Sequence, residues 1–122
     1  MNFKVFELDE LIEKKDEPLF IMNLLENKES MLKLVSLEKH AEIPPHTSAV
    51  NVCIYVIDGE IEIVFNQIDN CICETCHCES FDEKEDVEKR FKIKKGQFFF
   101  FEKDYMHFVK ALKDSKFLVI RI

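Results

Sequence analysis

The sequence predicts an all-β protein, an antiparallel sheet closed on itself, and three observations carry that prediction. Short runs rich in β-branched and aromatic residues recur at 50–57, 60–65, 90–94, 97–101 and 117–122, separated by turn residues rather than helical stretches. Only two glycines occur, Gly59 and Gly96. Both stand at corners between such runs, where the backbone bend strains any residue with a Cβ. At 122 residues and 47% hydrophobic content the chain can build one core and not two, so 1–122 reads as a single domain. Phe occurs 12 times and Trp never, which predicts a core of Phe, Ile, Leu and Val.

Taken in order, Leu8, Leu11 and Ile12 fall at helical spacing among Glu and Lys. They predict a short N-terminal amphipathic helix that ends near Lys14 or Lys15, ahead of Pro18, and covers the domain. Residues 19–25 are apolar and read as a strand or a buried turn, and 27–30 as a hairpin connection. A strand at 32–38 leads into Pro44-Pro45, where missing N–H donors should end its pairing. Residues 50–57 form the next strand, and Asp58-Gly59 is a hairpin signal that returns the chain through 60–65. In that run Ile61, Ile63 and Phe65 share one face while Glu60 and Glu62 point to solvent. Composition then shifts to Cys, Glu, Asp and Lys at about 69–89, an excursion from the barrel. Strands resume at 90–94, turn at Lys95-Gly96, continue through 97–101 and close with 117–122.

Charge and hydropathy narrow the partners. The net charge of −7 comes without a basic stripe to neutralise phosphates, which argues against nucleic acid and anionic membranes. No apolar run approaches the roughly 20 residues of a membrane-spanning helix, and the start lacks the basic-then-apolar order of a signal peptide. A cytoplasmic protein is expected. Five cysteines are present, four of them within eight residues, and in a reducing compartment that clustering points to metal or redox chemistry.

Two histidine-bearing stretches, beginning near His46 and ending at His107, resemble the paired motifs of the cupins, small jelly-roll β-barrels. In that family the first motif orders a glycine, a His-x-His pair, a glutamate and a glycine, and these places fall on His40, His46, Ser48, Val52 and Gly59. The second orders a glycine, Pro-x-Gly, a histidine and an asparagine, falling on Gly96, Glu102, Asp104, His107 and Ala111. Spacing fits without a gap, and the resemblance covers 32–122 with the Cys-rich excursion as an insertion. It implies a cupin-type barrel, frequently dimeric through its outer sheet, which suits 98–101, where both faces of an all-Phe run need cover.

In metal-dependent cupins three histidines and a glutamate hold the ion. This chain keeps His46 and His107 and has Ser48 and Val52 in the other two places, resembling a subgroup with a reduced ligand set. His46, Ser48 and His107 are the candidate barrel site, with two readings open: inward polar residues bonded to one another, or contacts to a metal or small ligand. Strand alternation puts Cys53 on the opposite face, as a small buried apolar residue. His40 is expected to be a solvent-facing turn residue, Glu102 and Asp104 loop charges, and Tyr55, Tyr105 and Phe108 packing residues.

The insertion carries its own signal. If Cys71, Cys73, Cys76 and Cys78 form a hairpin with Glu74-Thr75 at its tip, all four thiols share one face. Paired Cβ atoms would then lie about 5 Å apart and diagonal ones about 7 Å, close enough to wrap one tetrahedral ion. Zinc is the expected metal and iron the alternative; cross-strand disulfides or reactive thiols are the other readings. The acidic residues around the cluster read as an exposed ribbon. The sequence thus predicts a small metal-binding cupin with a thiolate site in the insertion and a small-ligand site in the barrel. Alternatives are a metal-dependent isomerase or oxygenase using His46 and His107, and a thiol-based redox or metal sensor.

Overall fold

The computed structural model of the chain describes residues 3–11, 17–28, 30–66 and 88–122. The insertion with its four cysteines lies outside the described residues. An N-terminal turn of helix, α1 (Leu8–Leu11), precedes the strands β1 (Leu19–Glu26), β2 (Met31–Leu37), β3 (Glu42–His46), β4 (Val52–Asp58) and β5 (Glu60–Asn66). They are followed by β6 (Glu88–Lys94), β7 (Phe98–Phe101), β8 (His107–Ala111) and β9 (Ser115–Arg121). A five-stranded sheet in the order β1-β2-β9-β4-β7 packs on a four-stranded sheet in the order β3-β8-β5-β6. Every pairing is antiparallel.

Period-2 alternation builds the core between the sheets. Val52, Ile54 and Val56 of β4 and Phe117 of β9 meet Ile61, Ile63 and Phe65 of β5 and Val109 of β8, all buried in one cluster. Residues 19–25 resolve as the edge strand β1, paired with β2 alone. The turn that follows is clamped by the Asn27 carboxamide, whose Oδ1 accepts the Ser30 N–H at 2.9 Å and its hydroxyl at 3.1 Å. Over the outer face, Lys116 Nζ donates to the Leu8 carbonyl at 3.4 Å, so the N-terminal segment lies against β9. Leu34, outward by parity, is fully buried beside its register partners Met22 and Leu118.

Three sequence expectations need correction. Pro44 and Pro45 do not end strand pairing: they sit inside β3, at the edge of the four-stranded sheet. The register with β8 skips between Ile43 and His46, so neither proline has to donate to the ladder. Asp58-Gly59 is not a hairpin turn, because β4 and β5 belong to different sheets and the pair carries the chain across the sandwich. Gly96 does the same between β6 and β7, and the two corners are laced together. Lys95 N–H donates to the Gly59 carbonyl at 3.1 Å and Gly96 N–H to the Val56 carbonyl at 2.8 Å. Finally, Glu62 is not solvated: it is 9% exposed, next to the buried Val64 on the same face, and its Oε1 accepts from Arg90 at 3.3 Å. The sequence predicts no strand at 107–111, yet these residues form β8, which His107 opens.

Both glycine corners require φ above zero, +91° at Gly59 and +85° at Gly96. His40 (φ +72°) and Asp104 (φ +73°) stand where the cupin pattern has further glycines and keep the left-handed backbone those glycines would supply. His and Asp are among the L-residues that reach this region more readily, which accounts for their tolerance there.

Candidate functional site

The two motif histidines face each other. β3 and β8 pair His46 directly with His107, and their rings stand 4.3 Å apart between centroids, tilted by 57°. Each ring is oriented in the same way from behind. His46 Nδ1 lies 2.8 Å from the Pro44 carbonyl and His107 Nδ1 lies 3.0 Å from the Tyr105 carbonyl. A carbonyl can only accept, so both Nδ1 atoms carry the proton and, in the neutral rings, both Nε2 atoms keep a lone pair. His107 is 4% exposed, and the ring of Phe101 meets it edge-on at 4.7 Å. Phe65 reaches it at 5.7 Å, and Phe65 in turn packs on Phe91, Phe99 and Tyr105.

On its other side the histidine pair borders a cavity of about 330 Å³ between the sheets. Its walls are mostly aliphatic, with Val35, Val52, Ile54, Val109 and Val119 among them, and Ser48, Lys33 and Arg121 are its further polar residues. Ser48 lines the cavity with its hydroxyl already engaged, donating to the Val50 carbonyl at 2.7 Å and accepting the Val50 N–H at 3.2 Å. Lys33 and Arg121 were not singled out from the sequence. The signal was strand parity, since Lys33 shares a face with the core residue Val35, and Arg121 shares one with Phe117. Cys53 is a buried free thiol that does not line the cavity, as alternation predicts. Glu102 and Asp104 are exposed on the loop beside the site, which is tied down by Asp104 N–H donating to the Ser48 carbonyl at 2.8 Å.

Residues 22–122 match the sequence profile of the cupin family. The chain is a cupin. Solved structures agree on the fold: a conserved protein of unknown function from Streptococcus pyogenes superposes with a TM-score of 0.74 at 16% identity, covering 100% of this chain and 89% of that one. A cupin superfamily protein from Desulfitobacterium hafniense gives 0.74 at 13% identity, covering 100% and 93%. A cupin 2 conserved barrel domain protein from Leptotrichia buccalis gives 0.73 at 21% identity, covering 96% of this chain and 47% of that one. No curated protein matches this cupin.

The donor set in the barrel does not fit the family's metal. Two Nε2 lone pairs are on offer, the hydroxyl at position 48 is spent on its own turn, and Val52 is apolar and buried. Among the described residues no three His, Cys, Asp or Glu side chains come together. Divalent iron, manganese and zinc ordinarily need three or more protein ligands.

Burial lowers the affinity of His107 for a proton, and the nearby His46 and Arg121 act in the same direction, against the opposing bond to the Tyr105 carbonyl. The unfolded chain, with an ordinary histidine near 6.5, therefore takes up this proton before the folded protein does. Stability from the neutral ring is full above that pH and is lost as pH falls below it. In urea unfolding at pH 8 and pH 5.5, the native cupin is expected to lose more stability on acidification than His107→Gln. Equal losses would show that His107 is not the group responsible.

Proposed function

We propose that this cupin binds a small molecule in its barrel and holds a metal ion in its insertion, with no chemistry assigned to either. The observation that carries the barrel half is the cavity of about 330 Å³, aliphatic over most of its wall, with His46 and His107 among its few polar lining residues. An apolar enclosure with a few placed polar groups is the usual form of a small-ligand site. Ser48 shapes the wall in this reading rather than contacting the ligand.

For the insertion, support rests on ligand count and spacing: Cys71, Cys73, Cys76 and Cys78 supply four thiolates, a set that suits zinc, with iron as the alternative. The strands on either side of the insertion, β5 and β6, end their pairing at Asn66↔Glu88, one residue beyond Phe65, which stands opposite His107. A reducing, cytoplasmic setting belongs to the same reading, since it keeps the thiols available. So does pairing of two copies through the outer face of the five-stranded sheet. There Phe98 (59% exposed) and Phe100 (49%) sit in register with Tyr55 and Cys53 and leave a row of apolar surface open.

Metal analysis of protein purified without added ions tests the insertion. About one equivalent is expected in the native cupin and in His46→Ala, and none when the four cysteines are replaced by serine. Metal that follows His46 instead would move the assignment to a barrel enzyme. Absence of metal with thiols lost on mild oxidation would favour a redox sensor.

A further inference from the structure

We infer that the barrel takes a small organic carboxylate, its charge held by Arg121 with Lys33 and its apolar body by the aliphatic walls; this rests on the cavity being the ligand site. Both cations line the cavity, and among the described residues no Asp or Glu does. In the β2–β9 register Lys33 stands opposite Val119 and Arg121 opposite Met31, which makes the two cations diagonal neighbours on one inner face. At that spacing, roughly 7–8 Å, like charges repel. Nothing among the described residues offsets the repulsion. Arg121 Nε is buried without a hydrogen-bond partner, and neither residue forms an ion pair there.

Acidic residues are not scarce, with 24 Asp and Glu against 17 Lys and Arg in the chain, yet none of the described ones is placed here. A guanidinium in a half-buried residue whose Nε is buried with its donor idle is costly unless an anion completes it. The planar fork of arginine matches a carboxylate through two parallel hydrogen bonds. Aliphatic walls on the rest of the cavity favour an organic body over a bare inorganic anion, and the Nε2 lone pairs of His46 and His107 can accept from a hydroxyl on that body.

Butyrate and benzoate, each beside its uncharged amide, serve as probes in calorimetric titration and thermal melting of the full chain, with inorganic phosphate as a further arm. The carboxylates are expected to bind at least about tenfold more tightly than the amides. Arg121→Met is expected to melt higher than the native protein without probe, because a buried Nε donor without a partner is gone, and to lose the carboxylate-induced rise in Tm. Arg121→Lys keeps the charge without the fork and should bind at intermediate strength, and Lys33→Met should bind more weakly than native. Equal binding of acid and amide, or native affinity in Arg121→Met, overturns the anion assignment and leaves the barrel as the ligand site. Phosphate acting as strongly as benzoate overturns the organic body. Failure of every probe, charged and neutral, overturns the barrel reading as well.

Discussion

Gly59→Ala is expected to destabilise the cupin by about 3 kcal/mol or more, against about 1 kcal/mol for Gly96→Ala, in urea unfolding of the two variants beside the native chain. The two glycines share a positive φ, so backbone strain alone would make the substitutions equivalent. They differ in what a Cβ would meet. At Gly96 nothing lies within 4 Å, whereas at Gly59 the Ser115 hydroxyl, the Ser115 Cα and the Asp114 carbonyl already occupy the place.

Those neighbours have little room to yield. Ser115 is buried; its Oγ accepts the Glu60 N–H at 3.0 Å and donates to the Lys113 carbonyl at 2.7 Å, pinning the start of β9 to the start of β5. Shortening the side chain in a Gly59→Ala/Ser115→Ala double variant should restore little, since the Asp114 carbonyl remains. Equal losses at Gly59 and Gly96 would mean that the corner relaxes and the close packing is not what holds it.

The same corners show how far the sequence could be read. Fold class was legible because strand alternation and two isolated glycines are local signals, each visible within a few residues. What Gly59 does was not, because a hairpin turn and a crossing between sheets use the same Asp-Gly dipeptide; only the partners of β4 and β5 distinguish them. β3 was hidden by its prolines, whose cost vanishes at an edge, and edge position is a property of the whole sheet. The site divided likewise. His46 and His107 stood out because of their spacing. Lys33 and Arg121 did not stand out, because a cation on inward parity is conspicuous only once its strand is known to line a cavity.

Restoring the family's donor set gives the second large effect. The double variant Ser48→His, Val52→Glu is expected to lose about 2 kcal/mol or more of stability without metal, because Val52 is 3% exposed and a longer, charged side chain overfills its place, a cost that its register partner Arg121 offsets only in part. Ser48→His also removes the hydroxyl that closes the Val50 turn. With His46 and His107 already presenting Nε2, the variant would offer three imidazoles and a carboxylate, and a bound ion would neutralise the buried charge that destabilises it.

Manganese should therefore raise the Tm of the variant steeply, about 2.7 kcal/mol of stability being regained at a hundredfold excess over Kd. It should leave the native protein unmoved. Manganese is the informative ion because it prefers carboxylate and imidazole to thiolate, so the cysteine insertion does not compete for it. A native chain that responds to manganese as strongly as the variant would show that two histidines already suffice, and that the barrel's departures from the metal-dependent pattern do not silence its metal chemistry.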